Sequence, residues 1–218
     1  MQLVQDASVV TASGERVGEL DRIVIDPRTK EVTHVVVRKG VLFTQDKVVP
    51  IDLIASASEE GVVLREDAGD LEALPNFEEE HFVALNEDEY ARSQYEETAP
   101  PSLYWYPPLY GAPFGAGRLN PTYPPLYPVE VERNIPEGTI ALKEGARVIS
   151  ADGDHVGNVE QVLTEPEADR ASHFVISSGF LLKEKKLVPV RWVDRIDEEE
   201  VRLVVGSDLI ERLREYQQ

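Results

Sequence analysis

THVVVRKGVLFTQDKVVPID, Thr33 to Asp52, has an echo in SHFVISSGFLLKEKKLVPVR, Ser172 to Arg191. Sliding the chain on itself by 139 residues superposes the two. The same shift places Gly14 on Gly153, Gly18 on Gly157, Pro27 on Pro166, His34 on His173, Gly40 on Gly179 and Pro50 on Pro189. No gap is needed from Val9 to Ile54. The apolar class is kept between the identities, with Val24 on Leu163, Val37 on Ile176 and Val48 on Leu187. A register this long indicates duplication of one folding unit rather than recurrence of a catalytic signature.

Each unit reads as β. Ser13-Gly14 and Asp152-Gly153 sit between short apolar runs, where Gly accepts the positive φ of a hairpin turn. Asp26-Pro27 separates two runs rich in Val and Ile, and Pro27 presets φ for a turn. Gly40 breaks a strand that VVPIDLI resumes, and GVVLRED and EVRLVVG close the two units. Five or six short antiparallel strands at this spacing predict a small barrel or sandwich. THVVVR and SHFVIS are apolar at consecutive positions, so both of their faces should be covered. Trp192, inside VPVRWV, is expected in a core. Short helices are expected at DLEAL from Asp70 and at SDLIERLREY, where Ser207 offers an N-cap.

The bulk numbers bound the class. With 42% apolar and 29% charged residues, the chain suits a soluble protein of two small domains. It has no Cys, which excludes disulfides and thiolate metal sites. The start MQLVQDASVV lacks a signal-peptide pattern, and no run of about 18 apolar residues occurs. A cytoplasmic monomer or small oligomer is therefore expected. The net charge is −19, and residues 59–97 carry 14 acidic against 2 basic side chains. Nucleic acid is not an expected partner, because its affinity rests on Lys and Arg displacing counterions.

The order V-x-x-x-x-G-x-x-x-G, then I-D-P-x-T, T-H-V-V-V-R-K-G and K-V-V-P-I-D-L-I resembles the PRC-barrel family, named for the cytoplasmic domain of the photosynthetic reaction centre H subunit. DGDHVGNVEQVL through HFVISSGFLLKEKKLVPVRWV resembles it a second time. The resemblance implies a small β-barrel used as a binding platform, as at the end of the ribosome maturation factor RimM. The chain departs from the H subunit in lacking its membrane helix, and from RimM in lacking its N-terminal domain. Lys30 and Asp169 stand where the family commonly has Gly in a turn.

These readings divide the chain into a first PRC-like barrel over residues 1–75, a connector over 76–132 and a second barrel over 133–218. The connector is acidic and then rich in Pro and Tyr, holding nine of the fifteen Pro and five of the eight Tyr in its second part. It should prefer extended, polyproline-like conformations. YPPLY occurs twice, at Tyr106 to Tyr110 and Tyr123 to Tyr127. These are either ligands for an aromatic groove or parts of an ordered strap whose rings pack on the barrels; burial of the rings favours the strap.

No complete catalytic set is legible. His34 and His173 hold matching strand positions without metal-ligand spacing, which predicts histidines hydrogen-bonded within their own barrels. Asp21, Asp26 and Asp52 face Glu160, Glu165 and Arg191 in the repeat, a pattern of solvated surface rather than acid–base pairing. No phosphate loop or nucleophile elbow occurs. The apolar triplets containing Leu42 and Phe43, and Phe180, Leu181 and Leu182, are candidate partner-binding patches if exposed, as are Tyr106, Tyr110, Tyr123 and Tyr127. The expected function is a non-enzymatic protein-interaction or scaffold module with no cofactor or metal, touching an unidentified protein and using barrel–barrel contact within the chain or in a homodimer. The alternatives are an accessory protein of a photosynthetic or electron-transfer membrane complex, without membrane insertion of its own, and a small-ligand sensor with a pocket between the barrels.

Overall fold

The computed structural model describes residues 1–39, 45–69, 71–82, 129–165, 168–178 and 184–216. The first repeat runs β1 (Gln2–Val4), β2 (Ser8–Val10), β3 (Arg16–Ile25), β4 (Val32–Lys39), β5 (Lys47–Pro50), β6 (Ile54–Ser58) and β7 (Gly61–Leu64). Glu78–Arg133 forms a compact unit of its own. Its described part is the antiparallel pair β8 (Glu78–Phe82) and β9 (Val129–Arg133). The second repeat continues with β10 (Ile140–Lys143), β11 (Arg147–Ile149), β12 (His155–Thr164), β13 (Ala171–Ser178), β14 (Glu184–Pro189), β15 (Val193–Ile196), β16 (Glu200–Leu203) and helix α1 (Ser207–Glu211).

Two seven-stranded sheets result, one ordered β5-β4-β3-β2-β7-β6 and the other β14-β13-β12-β11-β16-β15. The strands at the two ends of the first path are joined by a single 3-10 turn, Ile51–Leu53, and those of the second by Val190–Trp192. Three residues span at most about 10 Å, so each sheet must curl until its ends meet, which makes it a small barrel. The pairs β2–β7 and β11–β16 are parallel, a departure from the all-antiparallel expectation.

The seventh strand of each sheet comes from the other repeat. β1 pairs with β12, Leu3 lying opposite Val162, and β10 pairs with β3, Leu142 lying opposite Ile23. The 139-residue shift maps one pairing onto the other. The turns between the long strands meet in the same reciprocal way: Val32 N–H donates to Asp169 O and Ala171 N–H to Lys30 O. Such i-to-j and j-to-i contacts are those of an isologous dimer, here within one chain. Lys30 holds φ at 63°, the left-handed conformation that Gly commonly supplies.

One hydrophobic cluster consequently runs through both repeats, from Leu20, Ile23 and Leu64 to Leu142, Phe174 and Ile196. Met1–Phe77 and Asn134–Gln218 form one compact unit, not two independently cored ones. On β3 the register shifts between Leu20 and Arg22, and on β12 between Val159 and Gln161. These bulges reset the parity of the strand, so that Leu20 and Ile23, three residues apart, both reach the core. The outer face of the first barrel is covered too, as Val24, Val36 and Val48 pack with Phe77 and Ala141.

A buried lysine recurs at the start of β5 and near the start of β14. Lys47 Nζ donates to the carbonyls of Glu72 and Leu74, and Lys186 Nζ to those of Ile210 and Glu211. Each satisfies carbonyls at the end of the segment after the last strand, as a cation at a helix C-terminus does. That segment is a 3-10 turn, Leu71–Ala73, in the first repeat and α1 in the second. The expected Ser207 cap is corrected: Gly206 is the N-cap, and Ser207 N–H donates instead to the Asp152 carboxylate on the β11–β12 hairpin. Trp192 is likewise corrected, since it lies on a 3-10 turn and is only partly buried at the rim of the core.

Candidate functional site

The bulge residue of β3 is Asp21 and that of β12 is Glu160, and the two surroundings have diverged. In the first repeat, Arg38 on β4 reaches over the bulge. Its Nη2 lies 2.7 Å from Asp6 Oδ1 and 2.8 Å from Glu19 Oε2, and its Nη1 lies 3.2 Å from Asp21 Oδ1. These carboxylates raise the Arg38 pKa well above the usual guanidinium value. Glu144, arriving after β10, has its carboxyl pushed up by burial and by the neighbouring Asp6 carboxyl. The first site is an ion-paired cluster spanned by Arg38.

In the second repeat Ser177 stands where Arg38 does, with Gly145, Asn158 and Glu160 in place of Asp6, Glu19 and Asp21. The result is an open cleft of about 740 Å³. Its walls include Gln5, Asn158, Glu160, Gln161, Ser177 and Lys185. Gln5 Oε1 accepts from Gly145 N–H at 3.2 Å, and Asn158 Nδ2 donates to Gly145 O at 2.7 Å. Lys185 Nζ stands 3.8 Å from Glu160 Oε2. Gln5 and Gln161 are 7% and 2% exposed, yet Gln5 Nε2 and Gln161 Oε1 have no hydrogen-bond partner. Buried polar atoms are nearly always paired, so two unpaired ones on residues lining one cleft mark it out.

His34 corrects an expectation. His34 Nδ1 is buried without a partner, so its barrel does not satisfy that nitrogen. Burial lowers the His34 pKa, partly opposed by Asp52, and lowers that of His173, with Arg191 acting in the same direction. Both rings are thus protonated more readily in the unfolded chain, whose value is about 6.5. Their contribution to stability is fully present above that pH and is lost as pH falls through the folded values. The urea midpoint of the native chain should fall between pH 7.5 and 5.5, and the fall should be shallower in His34→Gln/His173→Gln. Equal slopes would remove the histidines as its cause.

The remaining sequence candidates are dispersed. Asp26 caps its own turn, accepting from the N–H groups of Arg28 and Thr29, which lowers its pKa. Asp21 is committed to Arg22 and Arg38. Leu42, Phe43, Phe180, Leu181, Leu182, Tyr106, Tyr110, Tyr123 and Tyr127 lie outside the described residues. Among the described residues there is no group of three His, Asp or Glu side chains placed to hold a metal ion. No helix among them is long and apolar enough to cross a membrane.

Sequence reasoning missed the cleft because Ser177, Asn158 and Gln161 belong to no motif. The signal was available in the repeat itself. At the 139-residue shift, a cation and two of its carboxylates are replaced together by Ser, Gly and Asn.

The family model of the PRC-barrel domain matches residues 4–71 and 144–208, together more than half of the chain. No curated protein matches it.

Proposed function

Because the chain belongs to the PRC-barrel domain family, with two copies in tandem, we propose that it is a non-catalytic protein-interaction module of the cytoplasm whose second copy grips the partner. The observation that carries this reading is the divergence of the two bulge sites. One copy has its site spanned by Arg38, while the other keeps a cleft of about 740 Å³ lined by two glutamines that each carry one unpaired amide atom. A duplication that locks one site and opens the other leaves a rigid half to support a binding half. Partners at a membrane, such as electron-transfer complexes, would be reached through protein contacts.

The cleft's size favours one second reading, a sensor of a small metabolite, since ligand pockets typically span about 300–1,000 Å³. Affinity capture from native lysate, run beside a thermal-shift screen of metabolites, separates the two. The expected result is a protein retained in stoichiometric amount and displaced by excess free chain, with no stabilising metabolite. A ligand at 100 times its Kd would add about 2.7 kcal/mol of stability, and finding one in place of a retained protein would establish the sensor. A chain lacking residues 99–129 should still capture the partner. Loss of capture would move the binding surface to the Tyr-rich connector.

A further inference from the structure

The first repeat shows what its scaffold is shaped to hold. We propose that the cleft of the second repeat seats an arginine side chain of a protein partner, the guanidinium entering where Arg38 lies in the first; this rests on the interaction-module reading. The backbones of the two sites correspond. Both have the bulge at the same place in the long strand, and both have a Gly, Gly18 or Gly157, pressed against the carbonyl of the residue that carries the diverged side chain. In one copy this frame binds a guanidinium through three carboxylates. In the other, Ser177 is too short to occupy the space.

The acceptors suit a guest. Glu160 retains the bulge carboxylate that meets Arg38 Nη1 in the first repeat. Asn158 donates through Nδ2 to Gly145, leaving Oδ1 as an acceptor. Gln161 keeps Oε1 without a donor, and a guanidinium offers five. The resident cation, Lys185, holds Glu160 only at 3.8 Å and its side chain is 37% exposed, so it is readily displaced. A net charge of −19 draws a basic partner toward the cleft. With two carboxylates fewer than the first site, the second suits a guest that comes and goes rather than a permanent strut.

The test is an amide NMR titration of the full chain with the capped peptide acetyl-Gly-Arg-Gly-amide, with acetyl-Gly-Gln-Gly-amide and free arginine as comparison ligands. The arginine peptide should produce saturable shifts centred on Asn158, Glu160 and Ser177. Ser177→Arg should weaken it at least tenfold by filling the seat from within, whereas Ser13→Arg, which adds the same charge on a distant hairpin, should change it less than twofold. Lys185→Met should tighten it several-fold, and supplies an independent readout should Ser177→Arg fold poorly. Shifts spread over the acidic surface, equal weakening by both arginine variants, or equal binding of the glutamine peptide or of free arginine would overturn the proposal. A partner captured equally well by the Ser177→Arg chain would sink the arginine seat alone and leave the module reading standing.

Discussion

Leu142→Ala will lower the unfolding free energy by about 3 kcal/mol, within the range for emptying a fully buried leucine site, and both repeats will register the loss. Leu142 is fully buried and sits on β10, which lies early in the second repeat by sequence but belongs to the first sheet, opposite Ile23. Its cavity therefore opens in a cluster shared by the two barrels. Urea unfolding should remain one transition with a lowered midpoint. Hydrogen exchange should show amides of β3 and of β12 losing equal protection, since both depend on the same cooperative unit. Loss of protection confined to one repeat would mean that the barrels fold separately, whatever strands they exchange.

Gly157→Ala should be at least as damaging, at about 3 kcal/mol. A methyl group there would overlap the carbonyl oxygen of Ser177 on the neighbouring strand, and the residue also holds φ at 152°. Relief would require β12 and β13 to part where they enclose the cleft. Gly153→Ala separates the two causes. Gly153 has φ at 90° with nothing within 4 Å of the new methyl, so it carries conformational strain without a clash. It should cost about 1 kcal/mol. A Gly153 variant as unstable as the Gly157 one would show that backbone conformation, not close approach, makes this glycine necessary.

The barrels were legible because their signals are local and occur twice. The hairpin glycines, the Asp-Pro turn and the unbroken valine strands each have a short-range cause, and repetition in register removes chance as an explanation. The strand exchange was not legible. β1 and β10 are three and four residues long, too short for a periodic signature, and they lie outside the ungapped stretch from Val9 to Ile54. Which β3-like strand such a segment joins depends on geometry that no local pattern encodes. The cap of α1 was misread because its carboxylate comes from Asp152, 55 residues before Ser207. The cleft escaped notice because it is made by what Arg38's counterpart lacks.

The reciprocal pairing also has a consequence for biosynthesis. Gln2 lies opposite Leu163, and Ile140 opposite Ile25, so neither sheet has all its strands until synthesis has reached the second repeat. At about 5–20 residues per second, the leading strand waits roughly 8–30 s for its mate. Through that interval the nascent protein carries the apolar Leu3 and an unfinished sheet edge past the ribosome exit, and its commitment to the native state waits on synthesis of the second repeat.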